Sequence, residues 1–162
     1  YGNDLIDDYA SILNVLENLS SQPEKDTVEF VKRFIAFILM GNTDAHLKNW
    51  AVIYPDGRTP QLSPAYDPVC VTALFESVPD EHYGLNKAID AKLSIFTWKN
   101  FEDLLIAAEV VRRGRLLQVA KKTVAEAKKL WPPLLEHAPA AVRKAVLQRL
   151  NGGLAITRDA SQ

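Results

Sequence analysis

Cysteine is almost missing from this chain: Cys70 stands alone among 162 residues. One thiol cannot form an internal disulfide, so the fold holds without covalent staples, and a lone thiol fits a reducing, cytoplasmic setting. Long apolar runs are missing too. FIAFILM, residues 34–40, falls well short of the roughly 20 residues a bilayer crossing needs, and Lys32, Arg33 and Asp44 flank it. No secretory signal is visible. Charge of one sign is also lacking. The formal net charge is −1, which excludes broad electrostatic attraction to nucleic acid or to a membrane surface. The seven glycines are scattered, so no glycine-rich phosphate loop exists in the chain. There is no internal repeat and no low-complexity tract. Asn18-Leu19-Ser20 matches a glycosylation acceptor, a pattern common by chance in a chain with nothing else of a secreted protein. The chain starts at Tyr1 without a methionine, as a piece of a longer protein would.

What is present is enough for one well-packed domain. Leu5, Tyr9, Ile12, Leu16 and Leu19 recur at helical spacing, with Asn3 or Asp4 as cap. A second helix is expected from about Thr27 to Met40, started by Asp26 or an earlier serine. Its last two turns are apolar on nearly every side, the mark of a helix in the middle of a bundle, and Gly41 suits the left-handed position that ends it. WAVIY, the turn signal Pro55-Asp56-Gly57-Arg58 and a short strand near Gln61–Ser63 read as a β-hairpin over residues 50–64. Residues 64–95 give mixed signals and are expected to be mostly loop, with room for one short helix or strand. Thr97 caps a third helix ending near Gly114. A fourth runs from about Arg115 to Trp131 and is stopped or kinked by Pro132-Pro133. A fifth starts at Pro139 and stops at Gly152-Gly153, leaving residues 154–162 as a flexible tail. The fold class expected is therefore mainly α: a helical bundle, residues 1–153, carrying one small hairpin. Trp50, Trp98 and Trp131 are expected in the core, and VRRGR and AKKTVAEAKK on solvated helix surface.

Between the greasy helix and the first strand lies GNTDAHLKN, residues 41–49. Polar groups crowded between two apolar elements either satisfy the backbone of a turn or do chemistry. The hairpin decides what they can meet. If residues 50–54 pair antiparallel with 60–64, Asn49 lies at the open end beside Pro64 and Ala65, and Asp67 follows two residues later. Asp44 enters the same place from the buried helix. Two carboxylates and an amide would thus converge where a hard cation such as Mg²⁺ finds oxygen ligands.

Asp44 and Asn49 stand as D-x-x-x-x-N, the spacing of a protein-kinase catalytic loop, and Asp67 stands after a hairpin where such kinases place a second metal-binding Asp. The common kinase pattern is not matched in full. Asn42-Thr43 replaces the His-Arg pair, and Asp67 lies in AYDPV. NTDAHLKN followed by LSPAYDPV does resemble the C-terminal lobe of the HipA family, bacterial serine/threonine protein kinases that act as toxins in toxin–antitoxin pairs. That family reads N-x-D-x-H-x-K-N and then P-x-Y-D, and both patterns stand here without gaps. YGLNKAID and KLSIFTWKNF are weaker matches to the family's downstream segment. The resemblance is strongest over residues 37–70 and weak after about residue 112.

The resemblance implies a kinase-like C-lobe whose hairpin carries the catalytic and metal loops. It implies Asp44 as catalytic base, Asn49 and Asp67 as Mg²⁺ ligands, His46 and Lys48 against the phosphates of ATP, and Tyr66 in the same wall. It implies a protein substrate, aminoacyl-tRNA synthetases being among the family's targets. It also implies a HipB-like helix-turn-helix antitoxin, so that DNA is met only through that partner. The small lobe, with its phosphate loop and nucleotide lysine, is absent from this chain, so the chain alone is expected to be inactive and to bind ATP poorly. Two other classes stay open. Asp44, His46, Asp67 and His82 could serve a metal-dependent phosphohydrolase holding Zn²⁺ or Mn²⁺, or the chain could be a non-catalytic interaction domain derived from a kinase lobe.

Overall fold

The computed structural model describes residues 5–158, and the caps expected at Asn3 or Asp4 lie outside them. The protein is mainly helical. The described residues form α1 (Leu5–Leu19), α2 (Pro23–Met40), β1 (Val52–Ile53), β2 (Gln61–Leu62), α3 (Asp80–Ser94), α4 (Trp98–Ala107), α5 (Arg113–Leu135), α6 (Ala140–Gln148) and α7 (Ala155–Arg158). Short 3₁₀ turns lie at Leu47–Asn49 and Val71–Leu74, and a π-helical turn at Arg149–Gly153.

The central helix is α2, packed between α1 and α5. It begins four residues earlier than Thr27, because Pro23 occupies the first helical turn, where a missing N–H costs nothing. Phe30, Val31, Phe34, Ile35, Phe37, Ile38 and Leu39 are all buried along it. Phe34 is the hub: its ring centroid lies 4.6 Å from Tyr9, 5.7 Å from Phe96 and 6.2 Å from Phe101. Such pairs add about 0.5–1.5 kcal/mol each beyond simple burial. Gly41 then ends the helix at φ 77°, as expected, its N–H bonding the Ile38 carbonyl.

The hairpin is shorter than its sequence signal. Val52 pairs with Leu62 and Ile53 with Gln61, antiparallel, and Ser63 N–H donates to the Ala51 carbonyl at 2.9 Å. Two-residue strands are marginal alone, and α2 supplies the missing support. Asp26, buried on its first turn, accepts the Leu62 N–H at 2.7 Å and the Ser20 hydroxyl at 2.6 Å.

Four expectations fail for physical reasons. Residues 80–94 form the 15-residue helix α3 rather than loop. Its start signals are present in Pro79, Asp80 and Glu81, but its amphipathic stripe is weak and only Leu93 is buried. Thr97 does cap α4 through a reciprocal box with Asn100, yet the helix ends at Ala107, well before Gly114, with Glu109 in the left-handed region at φ 56°. The prolines 132 and 133 do not end α5 at Trp131: both stand inside the helix, which stops two residues later at Leu135. Finally, residues 154–158 are no loose tail. Leu154 and Ile156 enter the core, and the Thr157 hydroxyl bonds the carbonyls of Arg149 and Leu154.

Candidate functional site

The loop from Gly41 to Asn49 is held at both ends by the core. Gly41 closes α2, and Trp50 packs its ring 4.6 Å from Phe30 and 5.6 Å from Phe37, centroid to centroid. Between these anchors Asn42, Thr43 and Ala45 are buried, so the backbone there must find partners inside the protein. The Asn42 side chain accepts the Asp44 N–H at 3.3 Å. The Asp44 carbonyl accepts the His46 N–H at 2.8 Å and the Asn49 side-chain Nδ2 at 2.5 Å. The Ala45 carbonyl accepts the Tyr9 hydroxyl at 2.8 Å and the Trp50 indole at 3.4 Å.

The side chains that could do chemistry point out of this frame. Asp44 has a half-exposed side chain, with His46 Nε2 4.0 Å from its Oδ1, too far for a hydrogen bond but close enough to feel its charge. Lys48 is exposed. Asn49 spends its amide N–H on the Asp44 carbonyl, which identifies the other end of the amide as the oxygen and leaves Oδ1 as an acceptor for a cation.

The second loop approaches through two cross-links. The Tyr66 hydroxyl donates to the Lys48 carbonyl at 3.1 Å, and the Thr72 N–H donates to the Gly41 carbonyl at 3.2 Å. The segment 66–72, which contains Asp67, is thus tied at both ends to the loop that carries Asp44. The hairpin pairing stops at Val52–Leu62, with one further bond from Ser63 to Ala51, and Asn49 lies just before it in the 3₁₀ turn Leu47–Asn49. Asp67 itself is exposed at φ 53°. An Asp tolerates that conformation better than most residues, but it is unusual for one preceding a proline.

Two hard oxygen ligands, an amide and a carboxylate, suit Mg²⁺, which takes few protein ligands and completes its shell with phosphates and water. A transition-metal hydrolase needs more. Among the described residues no group of three or more His, Cys, Asp or Glu could hold a metal ion, and His82 sits on the exposed first turn of α3. That removes the support for a site built on Asp44, His46, Asp67 and His82.

Sequence reading missed the residues that hold the frame: Tyr9, Asp26, Thr72 and Arg149. Arg149 is buried. Its Nε and Nη2 donate to the Ile38 carbonyl at 2.9 and 2.7 Å, and its Nη1 meets Asp90 at 2.5 Å. For Tyr9 a signal existed, since a tyrosine on a buried helical stripe must find a partner for its hydroxyl.

A family model described as the HipA-like C-terminal domain matches residues 1–131. "Putative kinase Y4dM" of Sinorhizobium fredii is 33% identical over 120 residues, covering 74% of this chain and 29% of the relative. "Putative kinase Y4mE" of the same organism is 25% identical over 107 residues, 65% of this chain and 25% of the relative. A "Putative kinase" of Haemophilus influenzae is 46% identical over 44 residues, 27% of this chain and 13% of that protein. The chain thus spans less than a third of the length of these curated relatives.

Proposed function

The chain belongs to the HipA-like C-terminal domain family, and from that premise we propose that it is the large lobe of a serine/threonine protein kinase with a kinase-like C-lobe fold. The substrate hydroxyl gives its proton to Asp44 as its oxygen attacks the γ-phosphorus of ATP, and ADP leaves. Asn49 and Asp67 hold Mg²⁺, which when bound neutralises charge on the phosphates. His46 and Lys48 face those phosphates, and Tyr66 ties its loop to the Lys48 backbone beside them. Catalysis of this kind rests on alignment and on charges fixed in advance.

The observation that supports the reading is the double stitch, Tyr66 to Lys48 and Thr72 to Gly41, which ties both ends of the segment bearing Asp67 to the loop bearing Asp44 and Asn49. The names of the relatives agree with it. On the same reading the whole protein is a cytoplasmic toxin paired with a HipB-like helix-turn-helix antitoxin. Its target is a protein, of which an aminoacyl-tRNA synthetase is one candidate, and it reaches DNA only through the antitoxin. A small lobe completes the nucleotide site, so this chain alone is inactive.

The test uses the full-length protein. Asp44→Ala lowers phosphate transfer to a protein hydroxyl by about 10²–10⁴-fold, the usual worth of a positioned base. Asp67→Ala abolishes the magnesium dependence along with the activity, and both variants keep the wild-type melting temperature. Wild-type transfer rates in Asp44→Ala would overturn the reading.

A further inference from the structure

Asp44 occupies an odd position for a group that has to be aimed. Among the described residues no donor reaches its carboxylate within hydrogen-bond distance, and His46 Nε2 lies 4.0 Å from it. Its direction is therefore set by the backbone on either side. The carbonyl of the next residue, Ala45, is gripped from outside the loop, by Tyr9 across 36 residues of sequence at 2.8 Å and by the Trp50 indole at 3.4 Å. The first of these is a good hydrogen bond and the second a long one.

Tyr9 is itself fixed. It is 7% exposed, its ring lies edge-on to Phe34 at 4.6 Å, and Trp50 closes its other side at 6.4 Å. Burial and these ring contacts hold the side chain in place. Burial, with Asp8 adding to it, pushes the phenol well above the usual tyrosine range, so the hydroxyl remains a donor at every pH where the protein works.

Resting on the kinase reading above, we propose that Tyr9 is a positioning residue for the reaction: through the Ala45 carbonyl, its hydroxyl orients the Asp44 carboxylate towards the substrate hydroxyl. The nucleotide side of the site has an anchor of its own, since the Tyr66 hydroxyl holds the Lys48 carbonyl. Loss of the Tyr9 hydroxyl therefore acts on kcat and spares the affinity for Mg·ATP. Misplacement of a reacting group by a fraction of an ångström to one ångström is worth up to about a hundredfold in rate. With Trp50 still in place, about tenfold is the expectation.

The experiment is a double-mutant cycle in the full-length kinase: Tyr9→Phe, Asp44→Ala and the pair, assayed at a temperature where the melting curves show all of them native. Phenylalanine keeps the ring and removes one hydroxyl. The proposal requires about a tenfold fall in kcat for Tyr9→Phe with KM for Mg·ATP unchanged, and no further fall when Tyr9→Phe is added to Asp44→Ala. A merely structural tyrosine lowers the melting temperature and leaves kcat per folded molecule alone; that result overturns the proposal, as does a tenfold loss that persists without Asp44. If Asp44→Ala alone retains the wild-type rate, the kinase reading fails first, and the two failures are told apart.

Discussion

The two loops that make the site are built on opposite principles. Residues 41–49 are gripped. Gly41, Asn42, Thr43 and Ala45 are buried, the carbonyls of Asp44 and Ala45 each accept two donors, and both ends are keyed into the aromatic core. Residues 64–69 are all exposed, and the contacts that tie them to the first loop are one hydrogen bond from Tyr66 and, after them, one from Thr72. The difference maps onto the chemistry proposed for each. A base has to be aimed before substrate arrives, so its backbone is frozen in the fold. A metal-binding carboxylate receives its geometry from the ion and phosphates it binds, so the fold need only deliver it to the neighbourhood. The unusual φ of Asp67 belongs with the second loop: strain there is tolerable where a ligand completes the structure.

If the first loop owes its rigidity to the core, its deepest anchor should be the most expensive to remove. That anchor is Arg149, whose guanidinium is 8% exposed and joins the end of α2 to α3. The Ile38 carbonyl it holds also receives the Gly41 N–H, at the first residue of the loop. Arg149→Ala leaves the Asp90 carboxylate without its cation and takes both guanidinium donors from that carbonyl. The expected loss is about 3–5 kcal/mol of unfolding free energy, measured by denaturant titration. A loss below about 1 kcal/mol would place the rigidity of the loop elsewhere.

A smaller effect tests the stitch between the loops. Gly41 stands at φ 77°, and a Cβ there would collide with the Thr72 hydroxyl and approach its Cγ2 to 2.9 Å. Gly41→Ala should cost about 1–2 kcal/mol for the left-handed backbone, with the collision added on top. Pairing it with Thr72→Gly relieves the collision and not the backbone, so the double variant should recover part of the loss and no more. Full additivity of the two single changes would mean that the loops do not press on one another at this point.

Much of this contrast was legible before any coordinates. The greasy end of α2, the glycine stop and the Pro-Asp-Gly turn each follow from local chemistry, and together they set the order of helix, loop and hairpin on which both loops hang. The supports were not legible, because they join residues far apart in sequence. Tyr9 meets Ala45, Asp26 meets Leu62 and Arg149 meets Ile38 only once the helices have packed. Helix α3 was hidden for a different reason. A helix with a single buried residue writes almost no stripe into the sequence, so its capping signals stood without the periodicity that usually accompanies them.

The smallest effect asks how far the juxtaposition depends on the hairpin between the loops, and it is read as a pH dependence. At the hairpin tip the Asp56 carboxylate accepts the Thr59 hydroxyl at 2.6 Å and the amides of Thr59 and Arg58 at 2.7 and 2.9 Å. These bonds, the Thr59 hydroxyl first, hold its carboxyl down from 3.8 to about 2. A carboxyl depressed in the folded state contributes stability that is present above about pH 4 and is lost as the pH falls through about 2. Wild type should therefore melt higher than Asp56→Ala at neutral pH, and the gap between the two should close as both are taken from pH 4 towards pH 2. Other carboxylates titrate in the same window, but they are common to both proteins and drop out of the difference. Because the tip is exposed and Asp26 clamps the far end of β2, the gap should be small next to the other two effects. A large gap would mean that the turn, and not the clamp on α2, sets the register of the hairpin between the two loops.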